Sequence, residues 1–437
     1  MSQILNLDGL VGPNHNYGGL AKGNIASVKN TGKLSSPKQA ALQGLEKMWI
    51  LYRLGIPQGF IPPQPRPNFC LLQAAGFRGT PQQILQQAFK TAPELLEACY
   101  SASSMWAANS ATITASSDSL TNKLQITPAN LQNQLHRSLE SPATDSFFRH
   151  FFSDNALFHC HSPLPSHANF ADEGAANHIR LNDPLSDEAL NLFIYGQDIS
   201  MVKKTQRYPA RQSKTACESL IRRHQIPHAK ALLIQQNPQA IDHGAFHNDV
   251  VAVGLNNFLL LHETAFSEQE GILTTLTKRT RHWQKPLFIM EIKDRDFSLK
   301  EAITSYLFNS QLIALPAGGM LLLAPEECRQ SQATEKVCQQ ILEADNPVTQ
   351  IKFIDLKQSM DNGGGPACLR LSIPITETEL AGVNPSILLN EKRYQQLRLW
   401  ITKHYRDQLT PSDLQDYQLV EEIDIALTEL QNLMLKD

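Results

Sequence analysis

Three short segments of this chain bring together groups that could do nucleophilic chemistry. In DNGGGPACLRL, residues 361 to 371, three glycines and Pro366 lead to Cys368, which stands directly ahead of an apolar run. Glycines let backbone approach a ligand closely, and proline stiffens the loop. A cysteine at such a junction is presented, whereas one inside an apolar helix is hidden. Only the thiolate is a useful nucleophile, so Cys368 needs a proton acceptor or a cation nearby. GAFHNDVVAV supplies His247 ahead of a second apolar run, with Asp249 two residues on. In an extended segment those two side chains would share one side of a strand. In ADEGAANHIRL, Asp172 and Glu173 precede a Gly-Ala-Ala stretch too small to cover them. Thiol, imidazole and carboxylate in similar strand-entry settings suit covalent catalysis with general acid/base help.

Each motif alone also has a plainer reading: a buried core thiol, a satisfied histidine, an acidic helix cap. Metal is the obvious competitor, because His243 and His247 form H-x-x-x-H, and His159 and His161 flank Cys160. A zinc pair at that spacing needs a helix, yet Gly244 and Ala245 lead straight into DVVAV, and no C-x-x-C ligand set exists. No metal is expected. The chain has no G-x-x-x-x-G-K-[ST] phosphate loop, and the glycines at 363 to 365 do not follow the dinucleotide fingerprint, so no cofactor is expected either.

The positioning elements announce themselves by caps and turns. Ser36-Pro37 with Gln39 predicts a helix carrying Leu42, Leu45, Met48 and Tyr52 on one face and stopping at Gly55. Thr80-Pro81 with Gln83, and Thr410-Pro411 with Asp413, predict two more helix starts. Strand-like runs lie at 111 to 116, 249 to 254, 257 to 263, 319 to 325 and 368 to 373, with a hairpin around GLNN at 254 to 257. This alternation implies an α/β chain. ANSATIT, DEGAANHIRL, FHNDVVAV, AGGMLLLA and GGGPACLRL share a layout in which a small or polar approach enters an apolar run, as similar blades meeting at a centre would produce. With no linker tract between them, residues 1–437 read as one catalytic domain.

Composition narrows the partners. With 437 residues, 42% hydrophobic, 19% charged and a formal net charge of -3, no general field for polyanions follows. The basic cluster KRTRHWQK at 278 to 285 reads as a solvated helix face, so no nucleic-acid partner is expected. The start MSQILNLDGLVG lacks the basic residues of a signal peptide and carries Asp8, and no run reaches the roughly 18 apolar residues of a membrane span. Seven scattered cysteines, an odd number, fit a reducing compartment. A cytoplasmic protein without a membrane partner is expected.

Longer stretches are more specific. DGLVGPNHNYGGLAKGN, MWAANSATI, HRSLE, DEGAANH, RYPARQ, QQNPQAIDHGAFHNDVVAV, YLFNSQLI and SMDNGGGPACLRL resemble the N-succinylarginine dihydrolases of the arginine-modifying pentein superfamily, over nearly the whole chain. The resemblance implies an α/β five-bladed propeller with pseudo-fivefold symmetry and a site in its central channel. It implies hydrolysis of N2-succinyl-L-arginine with two waters to N2-succinylornithine, two ammonia and carbon dioxide, and a homodimer. Carried over by position, the nucleophile is Cys368, the general acid/base His247, and the third catalytic residue Glu173. Substrate contacts fall on Gly18, Gly19, Leu20, Ala21, Lys22, Gly23, Asn24, Ile25, Ala26 and Ser27, and on Asn109, His136, Arg137, Arg211, Asp249 and Asn362.

The residue types suit that substrate. A guanidinium carbon is a poor electrophile, so attack needs a thiolate and carboxylates that hold and polarise the NH2 groups, here Glu173 and Asp249. Arg137 and Arg211 can pair with the two substrate carboxylates. Two rivals stay open on these residues: an enzyme passing the amidino group to an amine, and a silent binder of the same ligand.

Overall fold

The computed structural model describes residues 3–186, 188–198 and 205–435. The short apolar runs become strands with few exposed positions, several of them buried along their whole length, and such strands need cover on both faces. They assemble into five three-stranded sheets of one design. A first strand pairs antiparallel with a second, a helix crosses over, and a third strand pairs parallel with the second. The helix is required because a tight turn cannot join parallel neighbours.

One sheet takes Ala111–Thr114, Leu124–Pro128 and Phe158–Cys160, with the helix Ser141–Phe151 as crossover. The next takes His178–Asn182, Ala189–Tyr195 and Ala231–Gln235, crossed by Lys214–Arg223. Ala252–Leu255, Phe258–His262 and Phe288–Ile292 follow, crossed by Gln269–Thr280. Gln311–Ala314, Met320–Pro325 and Val348–Ile354 come next, crossed by Gln332–Glu343. The remaining sheet is shared by the two halves of the chain. Its first strand is Arg370–Ile375, its second is Gln3–Gly9, and the helix Pro37–Arg53 leads to the third, Gln58–Ile61.

Local chemistry explains the boundaries. The Ser36 hydroxyl accepts the Gln39 N–H at the start of Pro37–Arg53, and Thr80 with Gln83 forms a reciprocal cap. The expected hairpin forms, Leu255 facing Phe258, with Asn256 at φ 50°, a left-handed conformation that asparagine tolerates.

Four expectations need correction. Thr410 caps a 3-10 turn, Pro411–Gln415, and the α-helix begins afterwards at Tyr417. Residues 249 to 251 are not strand: Asn248–Val250 is a 3-10 turn, so His247 and Asp249 do not share one side of a strand. Asp172 and Glu173 are fully buried, because neighbouring segments cover what the small residues after them cannot. In the repeat layout, AGGMLLLA belongs to a second strand; the strand equivalent to the other four is Gln311–Ala314, which begins within YLFNSQLI.

Among the described residues no helix is long and apolar enough to cross a membrane. Within KRTRHWQK, Trp283 is buried in the core while Lys278, Arg281 and Lys285 are exposed, so the aromatic ring offers no stacking surface.

Candidate active site

The first strands of the five sheets are entered through polar segments, and those segments meet. Asn109 ends a 3-10 turn before Ala111, Glu173 precedes the turn Gly174–Asn177, His247 precedes Asn248–Val250, and Cys368 stands two residues before Arg370. Cys368, His247 and Asn109 line one cavity. Residues further along the same strands, such as Ile113, Ile179, Val253 and Ser372, line a second cavity. The strands that follow Asn109, His247 and Cys368 therefore run in the same sense from a front cavity to a rear one.

The three glycines before Cys368 have separate neighbours. A Cβ on Gly363 would overlap Asn24, one on Gly364 would overlap Trp106, and one on Gly365 would overlap Asn309. Gly363 also has φ 99°, open to glycine at little cost. The loop is thus packed from three sides, and it holds Cys368 only 4% exposed at the cavity wall. Asn24 joins this loop to the N-terminal one: its Nδ2 donates to the Gly363 carbonyl at 2.6 Å while its Oδ1 accepts the Ser27 N–H at 3.1 Å. Tyr306 Oη donates to the same carbonyl at 3.0 Å.

Glu173 and His247 form the polar centre. His247 Nε2 lies 2.8 Å from Glu173 Oε2, and Arg137 Nη1 lies 3.1 Å from that same oxygen. Asn109 Nδ2 donates to the Glu173 backbone carbonyl at 2.7 Å, and Gln212 Oε1 accepts the Glu173 N–H at 2.7 Å. Burial pushes the Glu173 carboxyl up, but Arg137 and the hydrogen bond from His247 outweigh it and hold it at about 2. Burial lowers His247 to about 4 despite Glu173 beside it. At neutral pH the pair is a carboxylate and a neutral imidazole. With Nε2–H given to Glu173, Nδ1 is the free base, and it is buried with no protein partner.

On the far side of the sulfur, Cys368 Sγ lies 3.8 Å from Asp249 Oδ2. Burial pushes the thiol well above its ordinary value, and Asp249 adds to that. Burial likewise raises the Asp249 carboxyl to about 7, with Arg370 opposing. These groups are set against the thiolate, and a cation arriving between them would reverse the balance.

The front cavity is lined by Gly18, Gly19, Leu20, Ala21, Asn24 and Ser27 of the N-terminal loop, and by Asn109, His136, Arg137, Arg211, His247, Asn362 and Cys368. Lys22, Gly23, Ile25 and Ala26 do not line it; the Lys22 carbonyl instead accepts from Arg211 Nη2 at 2.7 Å. Glu173 sits behind His247, and Asp249 lines the rear cavity. Asn16, Ser101, Ser103, Trp106 and Phe246 were not expected from sequence, yet they line the front. Ser103 donates to buried Glu140, and the Arg211 guanidinium lies 4.8 Å over the Phe246 ring. MWAAN and GAFHN, which contain two of these residues, were the available signal.

Three guanidinium nitrogens at the site are buried with no protein partner: Arg137 Nε, Arg137 Nη2 and Arg211 Nε. Buried donors of this kind are normally satisfied, so they point to an anionic ligand. No group of three or more metal-ligating side chains occurs among the described residues. His243 is exposed beyond the short helix Pro238–Asp242, and His159 stacks on His161 at 4.0 Å.

The N-succinylarginine dihydrolase of Shewanella loihica is 45% identical over 431 residues, 98% of this chain and 96% of that one. That of Nitrosospira multiformis is 47% identical over 433 residues, again 98% and 96% of the two chains. Among solved structures, the N-terminal domain of ArgZ, an arginine dihydrolase from the ornithine-ammonia cycle in cyanobacteria, aligns with a TM-score of 0.51 at 13% identity. The match covers 85% of this chain and 98% of that domain, a likeness of fold. A model of the succinylarginine dihydrolase family, AstB, matches residues 2–436, and the chain belongs to that family.

Proposed function

We propose that this chain hydrolyses N2-succinyl-L-arginine and two waters to N2-succinyl-L-ornithine, two ammonia and carbon dioxide, with Cys368 as nucleophile, His247 as general acid/base and Glu173 as its orienting partner. The observation that carries this is the set of unpartnered buried guanidinium nitrogens of Arg137 and Arg211 at a cavity walled by Cys368 and His247. A substrate with two carboxylates and a flat cation satisfies both halves of such a site.

In the first round, the guanidinium enters between the Asp249 and Glu173 carboxylates and favours ionisation of Cys368. Sγ attacks the guanidinium carbon. His247, protonated by the Cys368 thiol as it ionises, gives that proton to the departing ammonia, and the C–N bond breaks to leave a thiouronium. His247 Nδ1 then takes a proton from water, which attacks the same carbon and expels the thiolate, leaving the ureido compound. In the second round, Sγ attacks the ureido carbon and a second ammonia leaves. Water opens the thiocarbamate to a carbamate, which loses carbon dioxide to give the ornithine amine.

Residues 1–437 act in this reading as one catalytic unit. The seven free cysteines support a reducing, cytoplasmic location. A homodimer is proposed from the family likeness, and sedimentation of the purified protein tests it. Ammonia released per mole of N2-succinyl-L-arginine consumed tests the reaction. Two are expected, and none from Cys368→Ser; one would mean a deiminase that stops at the ureido compound, and activity in the variant would overturn the role of Cys368.

A further inference from the structure

Asn109, Glu173, His247 and Cys368 enter four of the five first strands, and the fifth is entered through Asn309. Like Asn109 and Cys368, Asn309 stands two residues before its strand, here Gln311–Ala314. It is fully buried, and its bonds go to the two segments that carry the sulfur and its nearest carboxylate. Nδ2 donates to the Asp249 backbone carbonyl at 3.3 Å, and Oδ1 accepts the Gly365 N–H at 3.1 Å. The Asn309 backbone carbonyl accepts the Ala367 N–H at 2.9 Å. Glycine at 365 is what lets the amide this close, since a Cβ there would overlap Oδ1.

We propose that Asn309 is a positioning residue for the nucleophile: its amide ties the Cys368 loop to the Asp249 segment and turns an N–H toward the sulfur, stabilising the thiolate. This deepens the reading of Cys368 as nucleophile and rests on it. A primary amide has two N–H groups, so one can serve the Asp249 carbonyl while the other serves the thiolate. The charged and titratable groups that otherwise act on the sulfur are Asp249, Arg137, Arg370 and Tyr306, and His247 lines the same cavity. Asp249 opposes ionisation, and the Asn309 amide and Arg137 favour it.

The test is the pH dependence of Cys368 alkylation by iodoacetamide in the substrate-free full-length protein, read on the Cys368 peptide by mass spectrometry. Asn309→Ala removes the donor, and Asn309→Asp keeps the shape and the acceptor for Gly365 while replacing the donor with an acceptor. Both are expected to move the titration of Cys368 upward by about one pH unit or more, a tenfold loss of thiolate at fixed pH. In turnover, kcat for ammonia release falls by about tenfold or more while KM stays within about twofold, as expected when an ionised nucleophile is lost and substrate contacts are not.

Ser310→Ala, a neighbouring buried change, is expected to leave the titration in place. An unchanged alkylation profile in either Asn309 variant overturns the proposal, and so does an equal shift in Ser310→Ala. Because the thiol is titrated without substrate, this failure is distinct from failure of the nucleophile reading, which appears as ammonia release by Cys368→Ser.

Discussion

The front and rear cavities lie at opposite ends of the same strands, and they differ in what their polar groups are doing. In front, Arg137 and Arg211 keep nitrogens without partners, and His247 keeps Nδ1 free. At the rear, the atoms without partners, Arg370 Nε, Asp249 Oδ1 and the Asn248 amide, lie at the strand entries, while further along the strands Arg180 is committed to Asp118 at 2.7 Å and Ser372 donates to Asn6 at 3.2 Å. The rear is otherwise lined largely by apolar strand residues such as Ile113, Ile179 and Val253. The difference follows from chain direction. Strand entries are turns that can present polar side chains, whereas strand bodies must bury their faces against neighbouring blades. Cys368 and Asp249 stand at the boundary between the two.

The comparison breaks first at the sulfur. Cys368→Ser is expected to lower ammonia release by about 10⁴-fold or more with the fold intact, measured by turnover and circular dichroism. Glu173→Gln removes the charge that orients His247 and holds Arg137, and should lower kcat by about 10² to 10³-fold, read from the kcat profile against pH. Arg211→Lys should act on KM for N2-succinyl-L-arginine, raising it by about tenfold to a hundredfold with kcat largely kept, because lysine cannot reproduce the planar fork.

A smaller effect appears at the boundary. The folded Asp249 carboxyl is raised by burial to about 7, so the folded state holds a proton that the unfolded chain releases near pH 4. Its stabilising contribution is full below the unfolded pKa and is lost as pH rises through 7. Melting of the wild type should therefore fall by a few degrees relative to Asp249→Asn between pH 4 and 8, followed by scanning calorimetry. The smallest effect belongs to the rear: Ser372→Ala should leave kcat and KM within about twofold, and a larger loss would erase the distinction between the two ends.

Much of the scaffold was legible because its signals are local. Ser36, Thr80 and the Asn256 turn each act over three or four residues, and each element they predict is present. The layout of strand entries was legible too, but its fourth copy was assigned to AGGMLLLA. That run is the more apolar of two neighbouring strands, and apolarity reports burial and not position in a sheet. Asn309 precedes the less apolar of those two strands, so apolarity does not mark it. The strand expected to align His247 with Asp249 does not form because a 3-10 turn intervenes, and from that turn Asp249 reaches the sulfur while His247 reaches Glu173. The unpartnered nitrogens of Arg137 and Arg211 had no local signature at all, since they depend on which distant segments leave them uncovered.

The pairing of Arg370–Ile375 with Gln3–Gly9 has one more consequence. The sulfur precedes a strand that finds its partner near the opposite end of the chain. Loop-closure entropy makes such contacts late in folding. A nascent chain therefore carries its imidazole, its carboxylates and its arginines before it carries a usable thiol. Ammonia release then reports completion of the ring, and recovery of activity on refolding should trail recovery of secondary structure.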